Sequence, residues 1–211
     1  MQILLTDDHA IVRSGLRRIV ADAFPDSIIG EAGSCGELRE KMRQATWNML
    51  VLDIALGGEN GLDLVPELRV MQPRMAIIIL SMYSERQFVV RALQAGVSGY
   101  LTKDRAPEEL LQAMRSVLLG KRYLCETVAR QLADYMALAG SGSEAPHEHL
   151  SPREYEVLLL LASARSVSEI ATQLHLSVKT VSTYRTRILE KLGMNSNAQL
   201  MRYAIQHGLV Q

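Results

Sequence analysis

The stretch "NMLVLDIALGGENG", Asn48 to Gly61, decides how the chain is read. Its apolar run, Met49 to Leu52, is too short for a helix and has the length of a buried strand. The run ends on a carboxylate, Asp53, and passes into a glycine-rich loop. In open α/β sheets ligands sit outside the carboxyl ends of the strands, so an acid at a strand end is placed for chemistry.

Outward from this stretch, Ile3–Leu5, Ile28–Ala32, Ala76–Leu80 and Gly99–Leu101 are apolar runs of similar length. Between them apolar residues recur at helical spacing: Ile11, Leu16, Ile19, Val20 and Phe24; Leu62, Val65 and Leu68; Phe88, Val89, Ala92 and Leu93. Ser34 with Glu37, and Ser84 with Gln87, have the spacing of a capping box, and Pro107 suits the first turn of a fifth helix. Five βα units predict a parallel sheet with helices on both faces, and right-handed crossovers make it doubly wound. This α/β domain is expected over residues 1–121.

The 211 residues are 48% hydrophobic and 22% charged, which excludes a wholly disordered chain. Basic and acidic residues balance at 23 each, so total charge names no partner. By region the basic and acidic counts are 14 and 15 in residues 1–121, 2 and 4 in 122–149, and 7 and 4 in 150–211. The basic excess of the last region is compatible with nucleic acid without requiring it. Cys35 and Cys125 have no metal-ligand spacing, and with no signal peptide ahead of them no disulfide is expected. The longest apolar runs, "AIIIL" and "VLLLLA", fall short of a membrane span, so no membrane partner and a cytoplasmic location are expected.

A helical pattern at Glu126–Leu138 leads into "AGSGSEAPHEH", Ala139–His149, so residues 122–149 read as a linker helix and a flexible linker. His147 and His149 lack a third donor that would make them a metal site. Residues 150–211 read as entirely helical. "LSPREY" is a strong helix start, with Ser151 as N-cap, Pro152 in the first turn, Glu154 closing the capping box and Leu150 placed to staple onto Tyr155. "SEIATQL", the turn "HLS" and "VKTVSTYRTRILEKL" follow, and a last helix opens at Ser196 with Gln199.

In a doubly wound sheet of order 2-1-3-4-5, the first and third strands are neighbours. Asp7 and Asp8 end the first and Asp53 ends the third, so three carboxylates converge on one crevice. They repel, and their pKa values rise, unless a cation neutralises them. Oxygen ligands with room for water suit Mg²⁺. A carboxylate beside Mg²⁺ is also a nucleophile for a phosphoryl group. Ser81 after the fourth strand offers a hydroxyl, and Lys103 after the fifth offers a positive charge. Together these are the groups needed to hold an aspartyl phosphate.

"ILLTDDH", "LVLDIALGGENGLDL", "IIILSM" and "GYLTKD" resemble the receiver domain of two-component response regulators, a flavodoxin-like fold. "LSPREYEVLLLLA" with "EIATQLHLSVKTVSTYRTRILEKLG" is similar to the LuxR-type helix-turn-helix. The two in this order resemble the NarL/FixJ family. The resemblance implies that Asp53 accepts phosphate from a sensor histidine kinase. It also implies that Asp8 ligates Mg²⁺ directly, Asp7 through water and Ala55 through its carbonyl. Lys103 would pair with the phosphate, Ser81 would hydrogen-bond to it, and Tyr100 would be the aromatic that swings inward as Ser81 moves. Where the family commonly has proline four residues after the phosphorylated acid, this chain has Gly57 and then Gly58, which predicts a more permissive loop.

In the second region, Ile170, Leu174, Val178, Val181 and Ile188 are the expected inward positions, and Ser177 is the natural N-cap of the second helix of the pair. By resemblance, Ser182, Thr183 and Thr186 read bases in double-stranded promoter DNA, while Lys179, Thr180, Arg185, Arg187 and Lys191 contact phosphates. Ala164 stands where glycine commonly ends a helix. Alanine in a left-handed cap costs on the order of 1 kcal/mol, so a turn of another shape is expected there. One such domain offers few contacts, so a homodimer on DNA is expected. Leu200, Tyr203, Ala204 and Leu209 of the last helix suit either the pairing surface or packing within their own domain.

Two other functions compete. A phosphatase with an aspartyl nucleophile needs a second acid two residues on, and that place holds Ala55. A regulator or scaffold that never takes phosphate does not need the full set of site residues that this chain carries.

Overall fold

The computed structural model describes residues 1–57, 59–82, 86–138, 145–174 and 176–210. The chain divides into two compact units, Met1–Ser141 and Gly142–Gln211. The first runs β1 (Gln2–Thr6), α1 (Ala10–Ala23), β2 (Ile28–Ala32), α2 (Cys35–Gln44) and β3 (Met49–Asp53). A hairpin of β4 (Ala55–Leu56) and β5 (Glu59–Asn60) follows, then a 3-10 turn at Gly61–Leu64 and α3 (Val65–Met71). The unit continues with β6 (Ala76–Ser81), α4 (Arg86–Gln94), β7 (Gly99–Thr102), α5 (Ala106–Leu118), β8 (Tyr123–Leu124) and α6 (Glu126–Leu138).

The main sheet is parallel throughout, in the order β2-β1-β3-β6-β7-β8. The five expected strands stand in the expected doubly wound order. A sixth, β8, extends the sheet beyond the five. It was not legible because two half-buried residues carry no period of their own.

Side-chain alternation along the strands builds two cores. Leu4, Leu50, Leu52, Ile77, Ile79 and Tyr100 face the helices α2, α3, α4 and α6. Ile3, Leu5, Met49, Val51, Ile78, Leu80 and Leu101 face α1 and α5. Each fully buried aliphatic side chain contributes roughly 1.5–3 kcal/mol, so strands apolar on both faces anchor the unit. Ile11, expected on the inner stripe of α1, is 89% exposed, and Leu16 and Val20 carry that contact instead. Ser34 caps α2 as expected, accepting from the Glu37 N–H at 3.2 Å. Ser84 and the interior of the linker lie outside the described residues.

Residues 122–138, expected as a linker helix, belong to the first unit. β8 pairs with β7, and α6 packs against α4 with Val128 buried. Among the described residues no helix is long and apolar enough to cross a membrane.

The second unit holds a short 3-10 turn at Pro146–His149, then α7 (Pro152–Ala162), α8 (Val167–Gln173), α9 (Val178–Lys191) and α10 (Asn197–Gln206). It begins before residue 150, because the His147 N–H donates to the Tyr203 hydroxyl at 3.3 Å and its Nδ1 lies 2.8 Å from the same oxygen. Ser151 and Glu154 form the full capping box at 3.3 and 2.7 Å. Ile170, Val181 and Ile188 are buried as expected, but Val178 is 51% exposed and Tyr184 takes the inward place in its stead. Leu200 and Ala204 of α10 are buried within the unit against α7.

The end of α7 departs from expectation. Ala164 does adopt the left-handed conformation, at φ 61°. Its N–H donates to the Leu161 carbonyl at 3.1 Å and that of Arg165 to Leu160 at 3.1 Å, the two bonds of a Schellman closure. Gly96, Gly120, Gly193 and Gly208 close α4, α5, α9 and α10 with the same pair of bonds. Satisfying two terminal carbonyls outweighs the Cβ clash at this exposed position. Ala164→Gly should therefore stabilise the second unit by about 1 kcal/mol. Urea unfolding monitored on that unit checks this, and a loss of stability would show that the left-handed turn does not persist.

Candidate functional site

Strand register brings the site residues to one edge. Thr6 pairs with Leu52, Asp53 with Leu80 and Ser81 with Thr102, so the carboxyl ends of β1, β3, β6 and β7 are level. Asp7 and Asp53 are buried there, Asp8 is half-buried and Ser81 is fully buried. The Lys103 Nζ lies 2.7 Å from Asp53 Oδ2 and 2.7 Å from Asp7 Oδ2. Its backbone N–H donates to the Ser81 carbonyl at 2.8 Å, so two of the predicted residues share one anchor. Tyr100 is fully buried, so its ring already stands inward in the core.

Loop contacts draw the edge together. The Gly57 N–H donates to Asp8 Oδ2 at 3.0 Å, and the Ala55 N–H to Asp53 Oδ1 at 3.2 Å. Gly57 takes φ 57°, which suits glycine, and the hairpin pairs Ala55 with Asn60. Gly61 passes so close that a Cβ there would sit 2.4 Å from the Asp53 carbonyl oxygen. Arg13, not anticipated from sequence, donates from Nη1 to the Asp7 carbonyl at 2.6 Å and pairs with Glu31 at 3.3 Å. His9 was also missed: its Nδ1 is 2.7 Å from Asp8 Oδ1 and 3.3 Å from Asp7 Oδ1.

Charge decides what the pocket can hold. Burial pushes the Asp53 carboxyl up to about 6, although Lys103 pulls it down. Burial alone would lower the Lys103 ammonium, but Asp53 and Asp7 outweigh it and hold it above its ordinary value. Three carboxylates against one ammonium leave a formal charge of −2. Asp8 Oδ1 is buried and accepts no well-aligned hydrogen bond. Asp7 Oδ2 is held by Lys103 at 2.7 Å through hydrogen bonding and charge together. Asp7, Asp8, His9 and Asp53 each offer one ligand atom, all within 4.8 Å of one another. Converging carboxylate oxygens and a double negative charge fit a divalent cation.

The second unit presents a polar face on α9. Lys179, Ser182, Thr183, Thr186 and Arg187 are exposed, while Thr180 and Arg185 are half-buried. Thr180 is engaged at the cap by Ser177, at 2.7 Å between hydroxyls. Arg185 donates from Nε to Asn197 at 2.6 Å. Lys191 donates to the buried Glu154 at 2.6 Å. Burial works against the Glu154 charge, but bonds from Lys191 and Ser151 prevail and hold its carboxyl below the usual range. His175, between α8 and α9 in sequence, lies outside the described residues.

A model of the response regulator receiver domain matches residues 3–115, and one of bacterial regulatory proteins of the luxR family matches residues 148–204. The chain is 37% identical over 210 residues to the response regulator UvrY of Escherichia coli K12, spanning 99% of this chain and 95% of that one. It is 36% identical over 211 residues to the response regulator GacA of Pseudomonas aeruginosa, spanning 100% and 98%. Among solved structures it is similar to RcsB of Salmonella enterica serovar Typhimurium bound to a promoter in the presence of a phosphomimetic, at 28% identity and a TM-score of 0.60 over 96% of this chain and 97% of that one. Two RcsB dimers bound to two parallel DNAs give 28% identity and a TM-score of 0.60 over 96% and 97%.

The raised Asp53 carboxyl has a consequence for stability. The folded state holds that proton more tightly than the unfolded chain, so without a divalent ion stability falls as pH rises from near 4 to about 6 and is level above. Asp53→Asn should stabilise the metal-free protein at pH 7 by on the order of 1–3 kcal/mol. Its advantage should vanish near pH 4. Thermal unfolding across this range, in chelator, measures it, and an advantage independent of pH would refute the assignment.

Proposed function

This chain belongs to the two-component response regulators that join a receiver domain to a luxR-family DNA-binding domain, and from that membership we propose that phosphoryl transfer to Asp53 controls its binding to promoter DNA. The observation that carries the proposal is the buried pocket of three carboxylates around one shared ammonium. The Asp53 carboxylate, ionised at neutral pH, attacks the phosphorus of a phosphohistidine on a sensor histidine kinase. An oxygen–phosphorus bond forms as the phosphorus–nitrogen bond breaks, and the imidazole leaves with the electron pair. Asp8, Asp53 and the Ala55 carbonyl would hold Mg²⁺, with Asp7 contributing through water. When bound, the ion neutralises charge on the transferring oxygens. Lys103 exchanges its carboxylate partner for the new phosphoryl oxygens, and Ser81 donates its hydroxyl to one of them. Tyr100, one strand position before Leu101, responds within the core rather than from the surface.

We further propose that the protein acts in the cytoplasm as a homodimer on double-stranded DNA. Ser182, Thr183 and Thr186 face base edges, and Lys179, Thr180, Arg185, Arg187 and Lys191 face phosphates. Thr183 and Thr186 donate their hydroxyls to the Lys179 and Ser182 carbonyls at 3.0 and 3.1 Å. In that conformation they offer acceptor lone pairs and methyl groups, which suits base amino groups and the thymine methyl.

Incubation with a small phosphodonor and Mg²⁺ should add the mass of one phosphoryl group to the wild type and none to Asp53→Asn. Labelling of the variant, or none of the wild type where a control receiver is labelled, would overturn the assignment. On DNA, Arg187→Ala should weaken binding across sequences and reduce the salt slope by about 1. Thr186→Ala should instead relax preference at one base pair. Titrations at several salt concentrations separate the two.

A further inference from the structure

We propose that the cavity at the amino edge of the main sheet binds a small amphipathic carboxylate, a molecule with an apolar body and one acidic head. The cavity lies at the opposite end of β3 from Asp53, so the proposal is independent of phosphoryl transfer.

The cavity has a volume of about 590 Å³, within the range of roughly 300–1,000 Å³ that holds small ligands. Three chain segments enclose it: the turn from α2 into β3, the turn from α3 into β6, and the end of α5. Trp47 and Met75 belong to one core and Val117 to the other, so the cavity opens where the two cores meet. Leu118 also lines it and is 40% exposed, which leaves apolar surface for a ligand to cover.

The walls are held in place. The Gln72 side-chain carbonyl accepts from the Trp47 backbone N–H at 2.7 Å, and its amide donates to the Met42 and Ala45 carbonyls at 3.1 and 2.8 Å. The indole N–H donates to the Lys41 carbonyl at 3.0 Å, so the Trp47 side chain has only carbon to offer a ligand. The lining backbone is engaged too. The Asn48 N–H donates to the Gln2 carbonyl at 2.9 Å, the Ala76 N–H to the Asn48 carbonyl at 2.9 Å, and the Met75 N–H to the Gln72 carbonyl at 3.2 Å. An extended peptide would find no row of free backbone groups to pair with, so the site suits a small molecule.

Charge selects the head group. Among the described residues that line the cavity, Arg74 carries the one positive charge and none carries a negative one. Arg69 supplies the structural bonds of this turn, donating to the Met75 carbonyl at 2.5 Å and to the Gly96 carbonyl. Arg74 is exposed and makes no ion pair with any described residue. Its planar fork of donors matches a carboxylate.

Full-length protein tests this, with decanoate as the probe and decanol as its neutral counterpart. Equilibrium dialysis of the labelled probes measures binding. Trp47 is the only tryptophan of the chain, so quenching of its emission by ω-bromodecanoate places the probe in the cavity. The wild type should bind decanoate saturably, with quenching that follows occupancy, and decanol about tenfold more weakly. Arg74→Gln should bind decanoate about tenfold more weakly and decanol unchanged, because it removes only the charge-assisted bonds. Acetate, a head without a body, should not compete. Asp53→Asn should change none of these values. Absence of saturable binding, binding without quenching of Trp47, or an equal loss of acid and alcohol in Arg74→Gln would overturn the proposal. Competition by acetate at the affinity of decanoate would also overturn it, showing a simple anion site.

Discussion

One ammonium makes the rest of this site tenable. Lys103 lies 2.7 Å from a carboxylate oxygen of both Asp7 and Asp53, and both acids are buried. Like charges this close in a poorly solvated place repel strongly, and without a counter-charge they would take up protons. The same ammonium is fastened through its backbone to the Ser81 carbonyl. Ion pair, strand register and loop contacts therefore fix one another. Gly61 belongs to this constraint, because only a residue without Cβ lets the chain pass under the Asp53 carbonyl. The negative charge left over fits a divalent cation.

Much of this was legible because it is periodic or because it ends a period. The five main strands follow from apolar runs, and the acids, the serine and the lysine stand where those runs stop. The misses share one cause: each depends on neighbours distant in sequence or on a balance too fine for pattern. β8 is two residues long and exists because β7 offers an open edge. Ile11 has the spacing of a core residue, but α1 meets its sheet only from Leu16 onward. At Ala164, propensity argued against a left-handed turn, and two carbonyl bonds at the end of α7 prevailed. His9 reads as an ordinary residue after two acids until the ring direction is known.

The DNA-binding unit shows why counting charges was a weak guide. Lys191 adds to the basic excess of the last region, yet it pairs with Glu154, whose carboxylate also closes the cap of α7. Arg185 likewise spends one donor on Asn197, the first residue of α10. Both tie α9 to a neighbouring helix. What α9 presents outright is a short polar strip, with Lys179 and Arg187 near its ends and hydroxyl residues between them. A strip this small carries shape and hydrogen bonding more than charge, which fits a protein whose overall charge is balanced.

The sheet edge carries the remaining logic. An uncovered β7 would present a row of unpaired backbone groups, and β8 occupies that row. The Cys125 N–H donates to the Tyr100 carbonyl at 3.2 Å, and Cys125, Val128 and Tyr100 share one buried cluster. α6 begins at the next residue and precedes the linker in the chain. Ser81 pairs with Thr102 on one side of β7, and Leu124 pairs with Tyr100 on the other. A shift of β7 at the carboxylate edge therefore cannot stay local. Packed interiors pass displacement on rather than absorb it, and α5, packed on β7 and β8, and α6, whose Val128 shares a buried cluster with Tyr100, both receive it.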